Sequence, residues 1–345
     1  MNIVVLCGGS STEREVSLVT GKQVCKALRE IGDNAVLLDV FLGHEAFDIE
    51  KTFKDNNYSI ESELEYIRDH SKDFEALKKM RENFFGPCVL ESCKKADIVF
   101  LALHGMNGED GRVQAAFDLM GIKYTGSDYL GSALAMNKEV TKQIFKEQGV
   151  PVAKSFSIKR NDLKKSINDY DLEYPVVVKT NCGGSSIGVY IVHDDDEYNA
   201  ALDAAFEMDE QVLVESYIEG REFSVAVIDY KTLPIIEIIP KEGFYDYENK
   251  YKEGATIDKC PAEIPEDVAI KIQKAAYKAA KALGLSVYCR IDILTDKNFN
   301  CYCLESNTLP GMTPTSLVPQ EAKAIGMSFP ELCRYLVEIS LKKYN

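Results

Sequence analysis

The chain has 345 residues, 46% hydrophobic and 28% charged, with a formal net charge of −15. That length exceeds one compact core and fits two or three domains. Such acidity argues against a nucleic-acid partner and against an anionic membrane face.

No apolar run approaches the roughly 20 residues that span a bilayer. Glu13, Arg14 and Glu15 interrupt any signal-like segment near the start. The ten cysteines form no CxxC pair, and most lie in apolar strand-like segments (Cys7, Cys182, Cys289, Cys301, Cys303). Reduced thiols in the cytoplasm are therefore expected.

In chain order, MNIVVLC reads as a buried strand, followed by a Gly-Gly-Ser loop and a helix of about fifteen residues. Ser11 or Thr12 is expected to cap that helix, with Glu13 and Glu15 in its first turn. Residues 41–95 are rich in Asp, Glu and Lys and read as surface helices without an assigned role. ADIVFLAL returns to a buried strand and ends in the loop HGMNGEDG. SALAMNKEVTKQIFKEQG then reads as one helix, and YPVVVK as a strand entering the loop TNCGGSSIG. Strands QVLVESYIEG, REFSVAVID and IIEIIP follow, with a polar aromatic loop at 241–261, a long Ala/Lys helix at 267–283 and a hairpin at 286–307. Domain boundaries are expected near residues 126 and 215, giving an α/β domain 1–126, a central domain 127–215 and a C-terminal domain 216–345.

The hairpin SVYCRIDILTDKNFNCYCLESN carries the strongest chemical signal. Side chains alternate along a strand, so Arg290 and Asp292 share one face, as do Glu305 and Asn307 on the return, with Leu304 opposite. A turn at 296–298 would set Asp292 across from the neighbourhood of Glu305. Two carboxylates and a carboxamide without His or Cys suit a hard cation such as Mg²⁺, although the same pattern also describes a solvated sheet face. In VVVKTNCGGSSIG, Lys179 ends a strand before a loop whose N–H groups can wrap phosphates, or which is simply a hairpin turn. Neither GxxxxGK[ST] nor a GxGxxG after the first strand is present, which counts against a P-loop enzyme and a dehydrogenase. Lys138, Glu215 and Glu222 have ordinary solvated readings, and His104 has a structural one. FYDYENKY, with Lys250, reads as an interaction surface or a lid.

Eight segments in one order, CGGSSTEREVSL, LHGMNGEDG, YTGSDYLGSALAMNKEVTK, VVVKTNCGGSSIG, VLVESYIEGREF, FYDYENKY, RIDI and LESNTLPGMTPTSLVPQEAKAIGMSF, resemble the D-alanine:D-alanine ligase family of the ATP-grasp superfamily. The resemblance covers nearly the whole chain except about 41–95. It implies a three-domain ATP-grasp fold: an N-terminal Rossmann-like domain, with central and C-terminal α+β domains gripping ATP. The loop 241–261 becomes a lid. Lys138 and Lys179 resemble the phosphate-contacting lysines, with Lys250 also on the ATP side. Glu215 and Glu222 resemble the adenine-side and ribose-side anchors. Asp292, Glu305 and Asn307 resemble the ligands of two Mg²⁺ ions, with Mn²⁺ an alternative. Glu13 and His104 correspond to groups beside the first D-alanine. Ser316, with Leu317, corresponds to the carboxylate contact of the second. Arg290 and the Gly311 N–H correspond to the oxyanion stabilisers, and Ser185 and Tyr251 join Glu13 in a network closing the site.

The implied reaction is attack of a D-alanine carboxylate on the γ-phosphorus of ATP, then attack of a second D-alanine amine on the acylphosphate. The resemblance also implies a homodimer whose other partners are small molecules. Two positions depart from the pattern. Ser216 stands where many relatives carry lysine, and Gly183 where some carry an acidic residue, which would loosen its loop. A ligase adding D-serine or D-lactate, and a non-catalytic ATP-binding regulator, are the alternatives. Retention of Arg290, Asp292, Glu305 and Asn307 argues against the regulator.

Overall fold

A computed structural model describes residues 1–162, 166–184, 186–241 and 255–345. Ser185, Lys250 and Tyr251 lie outside the described residues, as does most of the expected lid. The elements in chain order are β1 Asn2–Cys7, α1 Arg14–Glu30, β2 Asn34–Asp39, α2 Ile49–Phe53, α3 Ile60–His70, α4 Phe74–Met80, α5 Val89–Lys95, β3 Ile98–Leu101, α6 Arg112–Met120, α7 Tyr129–Met136 and α8 Lys138–Glu147. They continue with β4 Ser155–Lys159, β5 Val176–Thr180, β6 Val189–Val192, α9 Asp195–Phe206, β7 Gln211–Ser216, β8 Gly220–Ile228, β9 Lys231–Thr232, β10 Ile236–Pro240, β11 Thr256–Lys259, α10 Glu266–Ala282, β12 Tyr288–Asp296, β13 Cys301–Asn307, α11 Leu317–Ala324 and α12 Phe329–Leu341. Two compact units emerge, one of Met1–Ser132 with Ser286–Cys289 and Thr308–Asn345, the other of Ala133–Leu285 with Arg290–Asn307.

The first unit is built on a parallel sheet of order β2-β1-β3. Its strands are continuous apolar runs, buried along almost their whole length, as expected of a parallel sheet covered on both faces. Helix α1 packs on β1, β2 and α12. It is 17 residues long, and its N-cap is Glu13, which makes no side-chain capping bond. The expected cap Ser11 sits two residues before the N-cap position: its hydroxyl donates to the His104 carbonyl at 2.7 Å and accepts from Glu13 N–H at 3.2 Å. Residues 41–95 do form short helices, but α3 is more than surface decoration. It buries Glu63, Leu64 and Ile67 and packs on β2 and α1.

The second unit holds two sheets. An antiparallel one of order β4-β7-β5-β6 packs on α9 through Val176, Val178, Leu202, Ala205, Val212 and Val214. The other runs β11-β10-β8-β12-β13 with β9 beside β8, and α10 packs on β8 and β13. Strand β11 lies within the span expected to be loop, and its short TIDK run pairs antiparallel with β10. The helix expected through 132–149 breaks at Asn137, whose extended backbone and side chain cap α8. Cys182, expected within a strand, is exposed beyond the end of β5.

Candidate active site

A cavity of about 330 Å³ in the second unit is lined from both of its sheets. Lys138 enters from the start of α8, Lys179 from β5, Glu215 from β7 and Glu222 from β8. Asp292 and Glu305 close it from the β12–β13 hairpin.

Glu215 is only 3% exposed and accepts ion pairs from Lys179 at 2.6 Å and Lys142 at 3.1 Å. Burial pushes its carboxyl upward, but Lys142 and Lys179 outweigh that and hold it below the usual carboxylate range. Burial lowers the Lys142 ammonium, Lys179 adds to the lowering, and Glu215 opposes both. Two lysines thus converge on one carboxylate, and Lys179 lines the pocket, where an ammonium can meet a phosphate oxygen. Lys138 is buried rather than on a helix surface. Its ammonium donates to the Gly183 carbonyl and stands 3.6 Å from Glu305.

Gly183 lies close against the end of β5. A Cβ there would sit 2.2 Å from the Thr180 hydroxyl, so the residue is small because the backbone turns tightly against β5. Ile187 N–H donates to the Gly184 carbonyl at 3.1 Å, and Thr180 N–H to Gly188 at 3.3 Å, closing the turn.

In the hairpin, Arg290 pairs with Asn307 and Asp292 with Glu305, as the alternation predicts. Next along, Ile293 pairs with Cys303, leaving Leu304 as a bulge residue. Leu304 therefore lines the same cavity as Glu305 instead of facing away. Arg290 grips Asp292 with Nε at 2.9 Å and a terminal nitrogen at 2.8 Å. The Ser224 hydroxyl and the Asn307 amide each donate to Asp292 at 3.0 Å.

The remaining candidates belong to the first unit. A Cβ on Gly105 would meet the Glu13 carboxylate at 2.7 Å, so Glu13 lies against the loop that follows His104. The His104 ring bonds the Thr20 hydroxyl of α1 at 2.9 Å. Ser316 is the N-cap residue of α11, which Leu317 opens. Its hydroxyl accepts from Thr313 N–H at 3.1 Å and is shared with the Thr313 hydroxyl at 2.8 Å. A Cβ on Gly311 would be 3.1 Å from that oxygen. Glu109, which the sequence reading passed over, accepts from Gly105 N–H at 2.8 Å and Leu309 N–H at 3.3 Å, tying the two loops together.

Family models described as "D-ala D-ala ligase N-terminus" and "D-ala D-ala ligase C-terminus" match residues 2–127 and 144–338. The chain belongs to the D-alanine–D-alanine ligase family. It is 43% identical to the D-alanine–D-alanine ligase of Pediococcus pentosaceus over 100% of this chain and 99% of that one. Among solved structures, the ligase of Bacillus anthracis complexed with ATP is 32% identical, covers 99% and 98% of the two chains and superposes with a TM-score of 0.77. VanG D-Ala:D-Ser ligase from Enterococcus faecalis is 31% identical with a TM-score of 0.76, over 98% of each chain. The ATP-grasp architecture and the use of ATP follow from this membership.

Lys142 is the charged group that sequence reasoning missed. In KEVTKQ it looks like one more solvent-facing helical lysine, yet it is 2% exposed. The one signal was that it follows Lys138 by four residues and so shares its helix face. Among the described residues, no cluster of three His, Cys, Asp or Glu side chains is poised for a metal. The donor chemistry nonetheless fits a hard cation, since Mg²⁺ is commonly held by one or two carboxylates plus substrate phosphates. With its nitrogen turned to Asp292, the Asn307 amide presents its oxygen away from that carboxylate as a further hard donor.

Proposed function

We propose that this chain joins two D-alanine molecules into a dipeptide for peptidoglycan precursors, consuming ATP. The observation that carries this reading is the pocket that Lys138 and Lys179 line together with Asp292 and Glu305, in a chain matched by both family models. The lysines neutralise the polyphosphate, and Glu215 fixes Lys179 so that its charge is already oriented when nucleotide arrives. Glu222 lines the same cavity and is assigned to the ribose. Asp292, Glu305 and Asn307 would hold magnesium, which supplies further charge neutralisation for phosphoryl transfer.

Glu13 and His104 are assigned to the first D-alanine, whose carboxylate becomes the acylphosphate. Ser316 and Leu317 are assigned to the carboxylate of the second. The Arg290 guanidinium, oriented by Asp292, and the Gly311 N–H are the groups assigned to the oxyanion formed when the amine attacks. Lys250 is assigned to the ATP side, and Ser185 and Tyr251 with Glu13 to closure over the reactants, which keeps water from the acylphosphate. The sheets on either side of residue 215 form the two halves of the grasp. Family membership and ten free cysteines support a cytoplasmic homodimer.

The test is phosphate release from ATP with D-alanine, D-serine and D-lactate offered singly and in pairs, with products identified by mass spectrometry. Release with D-alanine alone and accumulation of D-alanyl-D-alanine is the expected result. A mixed product formed in preference to the dipeptide would replace this reading by that of a D-serine or D-lactate ligase.

A further inference from the structure

The helical segment 41–95 matched none of the motifs from which the activity was read, yet it contacts the loop that carries Glu13. The contact runs through Arg14, which is 7% exposed. One terminal nitrogen of its guanidinium donates to the Gly9 carbonyl at 2.8 Å, inside the Gly-Gly-Ser loop. The other stands 2.6 Å from Asp39 at the end of β2 and 3.2 Å from the Ser71 hydroxyl in the segment. The guanidinium also lies over the Phe74 ring, 4.3 Å from its centroid, and Phe74 packs edge-on against Phe41. An arginine is suited to this work because its planar fork holds several acceptors at once while its face stacks on a ring.

The loop has little freedom of its own. A Cβ on Gly8 would come within 2.0 Å of Asp39 and 2.8 Å of Arg14, and Gly8 has a φ of +74°. Gly8 N–H donates to the Ser17 hydroxyl at 2.8 Å, which in turn donates to the Ala102 carbonyl at 2.6 Å. Asp39 is fixed from its other oxygen by the N–H groups of Phe41 and Leu42. Arg14 is thus the link between the loop and the segment, and the residue before it is Glu13.

We infer that segment 41–95 is a positioning element for the first D-alanine subsite, with Arg14 the positioning residue through which Ser71 and Phe74 set the loop at residues 8–13. This rests on the ligase reading for the identity of the substrate, but the mechanical link does not. A subsite built on a Gly-rich loop needs outside support, since small displacements of an orienting group cost rate steeply.

The test uses the full chain carrying Ser71→Ala together with Phe74→Leu, which leaves Arg14 and Glu13 intact. Two readouts are taken: initial rates that separate the first D-alanine from ATP, and amide hydrogen exchange of residues 8–13 without substrates. The expected result is a rise of about fivefold to tenfold in the KM for the first D-alanine, an ATP KM within about twofold of wild type, and faster exchange in the loop. The conservative variants Ser71→Thr and Phe74→Tyr keep hydroxyl and ring and are expected to behave as wild type. An unchanged D-alanine KM, unchanged exchange, or a parallel rise in both KM values with a lower unfolding temperature would each overturn the assignment. Should wild type fail to make dipeptide, the ligase reading falls, and the exchange comparison alone decides the link.

Discussion

The Lys142 ammonium stands 3.1 Å from a Glu215 oxygen, and neither side chain exposes more than 3% of its surface. Glu215 also holds Lys179, so the three groups form one buried unit with a single negative member. Removing the carboxylate leaves two buried cations facing each other, whereas removing Lys142 leaves a complete pair. Glu215→Gln is therefore expected to cost about 3–5 kcal/mol and Lys142→Met about 1–3 kcal/mol. Urea unfolding of the two variants checks the order, and the reverse order would refute the shared-carboxylate account. Both should raise the KM for ATP.

Glu305 lies opposite Asp292 in the hairpin, and its side chain is 23% exposed with Lys138 at 3.6 Å. So long and wet a pair adds little to stability. Glu305→Gln should leave the unfolding midpoint near wild type while lowering phosphate release by at least about 10²-fold, through loss of a metal-binding charge. Paramagnetic titration with Mn²⁺ in the presence of ATP should show weakened binding. Unaltered turnover at saturating Mg²⁺ would remove Glu305 from the metal site.

Asn137 accepts a bond from Val140 N–H at 3.0 Å, capping the helix that begins with Lys138. The same helix end is tied to the strand β5 loop, where Asn181 accepts from Glu139 N–H at 2.8 Å. Asn137→Ala should cost about 1 kcal/mol of stability. It should also raise the KM for ATP more than that for D-alanine, because Lys138 shifts with its helix. Steady-state kinetics with each substrate varied in turn measures the difference.

Burial pushes the Glu63 carboxyl up from its ordinary 4.5 to about 7, with the charge of Asp39 adding to the effect. The folded protein therefore binds this proton more tightly than the unfolded chain does, and stability falls as pH rises between those two values. Above pH 7 the cost of an ionised Glu63 is fully developed. Glu63→Gln should match wild type near pH 5 and exceed it near pH 8 by up to about 3 kcal/mol. Chemical denaturation at the two pH values is the measurement; equal differences at both would rule the account out.

Strands β1, β3 and β5 were legible because apolar runs such as IVVL, IVFL and VVV mark buried strands, whereas β2 at Asn34–Asp39 was passed over between the first helix and the charged segment. The opposition of Asp292 and Glu305 was legible for a related reason: a period of two and a short turn leave few registers. Three further features were not. The break at Asn137 hides because MNKE continues an acceptable helical pattern, and only the capping geometry reveals it. The bulge at Leu304 hides because nothing in CYCLES distinguishes an extra residue from a regular one. Lys142 hides because its burial comes from β-strands far along the chain, not from its neighbours in sequence.

The turn that joins β12 to β13 is closed by backbone bonds from Asp296 N–H to the Asn300 carbonyl and from Phe299 N–H to the Asp296 carbonyl, and by one side chain. Asp296 accepts from the N–H groups of Asn298 and Asn300 at 2.8 Å each, and from the Asn300 side chain at 2.7 Å. None of residues 296–300 lines the cavity, and surface loops of this kind usually tolerate changes in length. Here a change in length has nowhere harmless to go. One residue gained or lost between 297 and 300 slides Glu305 along its strand relative to Asp292 and turns alternate side chains to the other face. Homologous chains are thus expected to vary in composition across this turn but to keep its residue count. An insertion scan of the hairpin would trace an outline of the proposed metal site from positions that do not line the cavity.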